Sequence, residues 1–102
     1  MYRLEFLPIA RQDMTEIIRY VSHDLGNPLA AETLADEMIE AAEKLTEFPH
    51  INAIHHTVRP MKNDYRKLIV KNYIMFYWID EKEKRITIAR VMYARRDYDK
   101  LP

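Results

Sequence analysis

A chain of 102 residues, 48% of them hydrophobic, has the size and composition of one globular domain. It contains no cysteine, which excludes disulfides, thiolate catalysis and cysteine zinc sites, and its single glycine, Gly26, excludes a glycine-rich loop that cradles phosphates. The formal net charge is zero, but residues 1–48 hold 4 basic and 10 acidic side chains (net −6) and residues 49–102 hold 12 and 6 (net +6). A basic C-terminal half favours an anionic partner.

The distribution of apolar residues bears on cellular location. No apolar run has the length that a membrane helix needs, and the first residues alternate in polarity, unlike a secretory signal. A cysteine-free composition is compatible with a reducing compartment. We therefore expect a cytoplasmic protein without a membrane partner.

The N-terminal half predicts one strand followed by two helices. Apolar and charged residues alternate over about residues 2–7, as in a strand with one buried face. Apolar residues then recur every three or four positions over about residues 9–25 and again over about residues 28–48, which is typical of amphipathic helices. The second helix is expected to bury one apolar stripe, formed by Ala31, Leu34, Met38, Ala41, Leu45 and Phe48.

The segment Gly26-Asn27-Pro28 separates the two predicted helices. Glycine suits the left-handed residue that follows a helix, asparagine can cap the next helix, and proline fits the first position of that helix. A link this short predicts that the helices form an antiparallel hairpin.

The C-terminal half predicts a loop and then three strands. Residues 49–64 have no clean period and predict a loop, with at most one short strand near Ile54–Val58. Runs rich in β-branched and aromatic residues follow, and they predict strands at about residues 65–71, 73–80 and 85–94. The middle run is apolar on both faces, as in a central strand.

The order of these elements defines the expected fold class. Helices come first and most strands come later, which is typical of an α+β protein. We predict a single domain over residues 1–102, with an N-terminal strand and an antiparallel helix hairpin packed on a mostly antiparallel four-stranded sheet.

Residues that could hold a metal or form a catalytic triad are poorly spaced. His55 and His56 are adjacent, and neighbours on an extended chain point to opposite sides. Ser22-His23-Asp24 are consecutive helical residues, which fan out over most of a turn and cannot form a triad. We therefore predict no metal site and no small-molecule cofactor.

Basic side chains on the predicted strands are better candidates for a functional site. Arg66 lies on one face of its strand, and Lys67 and Lys71 lie on the other. Arg90 shares a face with Ile86 and Ile88, which is an odd place for a charge unless that face opens into a groove near its end. Lys67, Lys71 and Arg90 are therefore predicted to bind nucleic acid, and the alternative is that such cations only keep a sheet edge soluble.

The ordered series of segments resembles the RelE/ParE superfamily of small toxins from bacterial type II toxin–antitoxin pairs. The resemblance covers most of the chain and no single motif carries it. Besides the opening strand, the matching segments are Asp13-Met14, Ile17–Val21, Leu25–Pro28, Leu45–Pro49, Arg59-Pro60, Tyr65–Leu68, Tyr73–Tyr77 and Arg90–Tyr98.

This resemblance implies a toxin that a cognate antitoxin holds inactive. RelE-like members cut messenger RNA on the ribosome, whereas ParE-like members inhibit DNA gyrase. The tight helix hairpin resembles ParE-like members, Ile74 stands where RelE-like enzymes commonly carry an arginine, and no histidine follows His56. We predict gyrase inhibition. The alternatives are a ribosome-dependent mRNA endonuclease and a non-toxic antitoxin-binding module of the same fold.

For the nuclease alternative, the resemblance implies a catalytic set of Arg66, Arg95, Arg96 and Tyr98. The arginine side chains would orient phosphates, because a guanidinium fork matches two phosphate oxygens. Tyr98 would transfer the proton.

Overall fold

The structure is a computed structural model that describes residues 1–54 and 63–95. Its elements are β1 (Arg3–Phe6), α1 (Pro8–Arg19), α2 (Pro28–Lys44), β2 (Arg66–Val70), β3 (Tyr73–Asp80) and β4 (Arg85–Tyr93). The predicted α+β fold class is confirmed. Of the short strand expected near Ile54–Val58, Ile54 forms one antiparallel bridge with Arg66, and the rest lies outside the described residues.

The four strands form one sheet in the order β1-β4-β3-β2. The ladders β2–β3 and β3–β4 are antiparallel, whereas β1 lies at the edge, parallel to β4. A parallel neighbour cannot be reached by a tight turn, so the chain crosses from β1 to the rest of the sheet through the helix hairpin. The expected central position of β3 is confirmed, and Phe76 and Tyr77 within it are fully buried.

The link between the helices has the predicted chemistry. Gly26 adopts a left-handed φ of 62°. The side-chain oxygen of Asn27 accepts a hydrogen bond from the Ala30 amide at 3.1 Å, and Pro28 begins α2. Each of the three residues therefore has the role that its type indicates.

The end of the first helix differs from the prediction. Regular α-helix stops at Arg19, and Tyr20–Asp24 form a π-helical turn closed by a hydrogen bond from the Leu25 amide to the Tyr20 carbonyl at 3.0 Å. Apolar spacing predicts helix down to about residue 25, but it cannot distinguish an α-turn from the wider π-turn.

The main core lies between the hairpin and the sheet. Leu34, Met38 and Ala42 of α2 and Leu45 just after it are buried there, and Ala31 of α2 is also buried. Phe48 was expected on the same stripe, and this was wrong, because its side chain is 60% exposed. The α-helix ends at Lys44, and tight turns bring the chain to Pro49, so the helical spacing no longer applies at Phe48.

A second buried cluster occupies the opposite face of the sheet. It contains Tyr65, Ile74, Phe76, Ala89 and Met92. The partly buried ring of Trp78 packs edge-on against Tyr65, with ring centroids 5.7 Å apart. The sheet therefore has apolar residues on both faces, as the continuous apolar run of β3 indicates.

A bulge interrupts the ladder between β3 and β4. Phe76 lies opposite Arg90 and Tyr77 lies opposite Ile88, so Ala89 is an extra residue in β4. The bulge changes the side-chain alternation of β4. Strict alternation predicts that Arg90 shares the face of Ile88. The bulge breaks that alternation, so this prediction is wrong.

The Asp13 side chain of α1 contacts β4 beyond the end of β1. Phe6 is the last residue of β1 and lies opposite Ile88. Three residues further along β4, the Val91 amide donates a hydrogen bond to the Asp13 carboxylate at 2.9 Å. The same carboxylate accepts hydrogen bonds from Arg90 Nε at 2.8 Å and Nη2 at 3.0 Å. One side chain of α1 thus satisfies a strand amide and a guanidinium together.

The Asp13–Arg90 pair is mostly withdrawn from water. The side chains are 11% and 19% exposed, respectively. The hydrogen bond to Asp13 is the main reason that the pKa of Arg90 is raised above its ordinary value. Removing one partner of such a pair strongly lowers stability, because the other charge is then buried and uncompensated.

We expect Asp13→Ala to lower the free energy of unfolding by about 2–4 kcal/mol, since it orphans the Arg90 guanidinium and the Val91 amide. Urea unfolding measures this. Glu32→Ala, at an exposed position of α2, is the matched control and should change stability by about 0.5 kcal/mol or less. Equal losses in the two variants would contradict a special role for Asp13.

Candidate functional site

Arg66 is engaged with the segment that follows α2. Its Nη1 atom donates a hydrogen bond to the Asn52 carbonyl at 2.5 Å. The Tyr77 hydroxyl donates to the Pro49 carbonyl at 3.0 Å and accepts from Asn52 Nδ2 at 3.3 Å. Arg66 and Tyr77 therefore hold residues 49–52 against the sheet. A catalytic role for Arg66 stays a prediction.

The other predicted site residues lie in different surroundings. Lys67 is partly buried opposite Phe76, on β2. Lys71 follows β2 in a left-handed conformation, and its ammonium lies 3.4 Å from the Glu37 carboxylate. Arg90 is bound to Asp13, as described above. Their assignment to nucleic-acid binding also stays a prediction.

Arg95 is exposed just beyond β4, whereas the predicted Arg96 and Tyr98 lie outside the described residues. Arg66 lies opposite Tyr77 on β3, and Tyr93 on β4 lies opposite Tyr73, four residues away along β3. At about 3.3 Å per residue and 4.8 Å per strand spacing, the backbones of Arg66 and Tyr93 are roughly 16 Å apart. Arg95 comes two residues after Tyr93, so the described part of the chain does not bring Arg66 and Arg95 together.

An apolar groove of about 360 Å³ runs between the C-terminal half of α2, the segment after it, and β2. Its apolar lining comes from Ala41, Leu45, Phe48, Ile51 and Leu68. Three charged residues of α2, Glu37, Glu40 and Lys44, also line it. Past the bridge between Ile54 and Arg66, no described strand pairs with the outer edge of β2. The groove therefore adjoins the edge of β2 along which the described residues place no further strand.

The segment after α2, which lines the groove, is also held by polar contacts at the surface. His50 Nε2 lies 2.8 Å from one oxygen of Glu81, in the turn between β3 and β4. The Tyr2 hydroxyl donates to the other oxygen at 2.7 Å, and Lys84 Nζ lies 3.6 Å from it. The hydrogen bond from Tyr2, followed by the charges of His50 and Lys84, lowers the pKa of Glu81. The groove wall is thus tied to both β1 and the β3–β4 turn.

Two tyrosines meet at the end of the sheet where β3 begins and β4 ends. The rings of Tyr73 and Tyr93 meet edge to face, with centroids 5.8 Å apart. Burial is the main cause that raises the pKa of Tyr73, and the phenols of Tyr20 and Tyr93 raise it further. Sequence reasoning missed this pair, because only the register of β3 with β4 brings Tyr73 and Tyr93 together.

Two further features bear on the class of site. In the part of the chain that the structure describes, no three His, Asp or Glu side chains are grouped to hold a metal ion. Neither α1 nor α2 is long and apolar enough to cross a membrane.

Solved structures of bacterial and archaeal toxins share this fold. The chain matches a structure of the chromosomal ParDE toxin–antitoxin system from P. aeruginosa with a TM-score of 0.74, at 18% identity, covering 93% of this chain and 98% of that one. It matches the isolated E. coli RelE toxin with a TM-score of 0.57, at 19% identity, covering 96% and 89%. A RelE–RelB complex from Pyrococcus horikoshii gives 0.62, at 15% identity, covering 94% and 98%. The architecture is therefore that of the RelE/ParE toxins.

The family follows from sequence. The model of the family described as the ParE toxin of the type II toxin–antitoxin system parDE matches residues 4–98. The chain belongs to this ParE toxin family. Comparison with curated protein sequences finds no significant relative.

The buried Tyr77 hydroxyl predicts alkaline sensitivity. Burial is the main cause that raises its pKa above the ordinary value of 10.0. The folded state therefore favours the neutral phenol, whose stabilising contribution is complete below pH 10 and is lost as the pH rises above it. In urea unfolding, we expect wild type to lose more stability than Tyr77→Phe between pH 8 and pH 10.5. A similar loss in both would show that Tyr77 does not cause it.

Proposed function

We propose that this chain arrests growth by inhibiting DNA gyrase, and that a cognate antitoxin keeps it inactive. Membership of the ParE toxin family supports the proposal. The observation that carries it against the nuclease alternative is the placement of the predicted catalytic arginines: Arg66 is bound to the Asn52 carbonyl and lies far from Arg95. Two cations at that separation do not converge on one phosphate.

Ile74 supports the same choice. It follows Tyr73 at the start of β3, where RelE-like enzymes commonly carry an arginine, and its side chain is buried in the second apolar cluster. An arginine at this place would add a cation to the sheet, whereas isoleucine adds only packing. The mechanism that we propose is therefore binding to gyrase rather than bond cleavage by this chain.

The antitoxin fits the groove beside α2. The solved relatives include a ParDE system and complexes of RelE with RelB. An amphipathic helix can place apolar side chains in a groove, and an extended segment can add a strand to a sheet edge. Here the groove and the outer edge of β2 adjoin, so one partner segment can contact both. Exposed Phe48 and Ile51 would supply the apolar contacts.

The target is tested with two assays on the same purified chain. In a supercoiling assay, we expect the chain to inhibit gyrase and to leave a DNA topoisomerase I control active. In a cell-free translation reaction with 5′-end mapping, we expect intact mRNA. Cuts at codons inside the ribosome would overturn the proposal in favour of the nuclease. If the chain neither inhibits gyrase nor causes mRNA cleavage, and its expression does not arrest growth, the non-toxic binding module is favoured.

The groove is tested with Phe48→Asp. Phe48 is already exposed, so we expect a change in unfolding free energy of about 0.5 kcal/mol or less. Antitoxin affinity should fall at least about tenfold, because a charge then faces the apolar contact. Calorimetry with the product of the neighbouring antitoxin gene measures it. Leu29→Asp is the matched control, since Leu29 is 73% exposed at the start of α2, outside the groove. Equal affinities would exclude docking at Phe48.

A further inference from the structure

Two charged side chains of α2, Glu40 and Lys44, lie at the groove. Both residues are exposed, and both line the groove beside its apolar residues. Within the described part of the chain, neither side chain takes part in a hydrogen bond or an ion pair. A partner that covers the groove would therefore desolvate one negative and one positive charge, and it must supply the opposite charges itself.

The spacing of the two residues makes their lack of contact informative. A glutamate four residues before a lysine is the order that favours an ion pair along a helix. Glu40 and Lys44 have this order, yet no ion pair joins them. Charges that served only to stabilise α2 would be expected to meet. Both groups instead remain available to a partner in the groove.

The other charges around the groove are already matched. Glu37 is the third charged residue of the lining, and its carboxylate lies 3.4 Å from the Lys71 ammonium. On the other wall, the Arg66 guanidinium donates a hydrogen bond to the Asn52 carbonyl. Of the three charged residues in the lining, Glu40 and Lys44 are therefore the two left for a partner.

The order of the two charges gives the groove a direction. Glu40 and Lys44 lie one turn apart, about 6 Å along the axis of α2. Two positions four residues apart on a partner helix have the same spacing, and two residues of an extended partner cover about 6.7 Å. One segment can therefore meet both charges. The same segment bound in reverse would bring like charges together.

We propose that Glu40 and Lys44 select the antitoxin and set its direction in the groove, by pairing with one basic and one acidic side chain of an amphipathic antitoxin segment. The apolar side chains of that segment contact the lining formed by Leu45, Phe48 and Leu68. This inference rests on the proposed function, which places the antitoxin in the groove. Apolar contacts give affinity in either direction, whereas misplaced charges penalise a reversed or mismatched segment.

The test is calorimetry of the purified chain with the product of the neighbouring antitoxin gene. We expect Glu40→Lys and Lys44→Glu each to weaken binding at least about tenfold, because each reversal turns an attraction into a repulsion. Glu40→Gln and Lys44→Gln, which remove a charge without reversing it, should weaken binding less. Both positions are exposed, and urea unfolding confirms that each variant is folded.

The double swap, Glu40→Lys with Lys44→Glu, separates the placement of charge from net charge. It keeps the net charge of the groove but reverses the order of the two charges along α2. We expect this variant to bind the antitoxin more weakly than either single reversal. Binding equal to that of wild type would show that only net charge matters, and it would overturn the inference.

Glu32→Lys is the matched control for Glu40→Lys. Glu32 is exposed on the same helix, outside the groove lining and eight residues before Glu40, or about 12 Å along the axis. This distance exceeds the Debye length of about 8 Å at physiological ionic strength, so the affinity should stay within about twofold. An equal loss in the control, or tighter binding by Glu40→Lys, would show only general attraction and would overturn the assignment.

The outcomes separate this inference from the proposed function. If Phe48→Asp weakens antitoxin binding but the charge reversals do not, the groove stands and the assignment of Glu40 and Lys44 is overturned. If none of these variants weakens binding, the antitoxin docks elsewhere and the inference is overturned together with the groove. If the reversals act as expected but the wild-type chain does not inhibit gyrase, the charge assignment stands and the proposed target fails.

Discussion

The contact between Asp13 and β4 fixes how the helix hairpin lies on the sheet. β1 covers only the first part of β4, and at Val91 a carboxylate from α1 accepts the hydrogen bond of the strand amide. Arg90 is drawn into the same contact through two hydrogen bonds. The bulge at Ala89 makes this possible, because it changes the alternation of β4 just before the residues that Asp13 binds.

The placement of the tyrosine pair and of the groove follows from that contact. Val91, which Asp13 binds, lies two residues before Tyr93, so the contact adjoins the end of the sheet where Tyr73 and Tyr93 meet. On the other side of the hairpin, α2 lies beside β2, and the segment after α2 is anchored by Tyr77 and Arg66. A shift of α1 along β4 would therefore disturb both the pair and the groove.

Sequence patterns predicted the elements well where one local rule decides the structure. Gly26 and Asn27 are examples, since backbone conformation and capping depend on the residue itself. The patterns failed where a distant contact decides. Phe48 is not on the predicted stripe because α2 ends early, and Arg90 is not on its predicted face because of a bulge. Neither residue carries a local signal for these changes, and the site residues have the same limitation, because their grouping depends on strand register.

The parallel pairing of β1 with β4 has a consequence for the order of folding. Arg3 pairs with Arg85, so the sheet closes between residues 82 positions apart in the chain. Contacts of such long range form slowly, because the chain loses loop entropy before it gains their energy. During synthesis β1 has no partner until nearly the whole chain has left the ribosome. The nascent protein therefore cannot add β1 to its sheet until β4 has emerged from the ribosome.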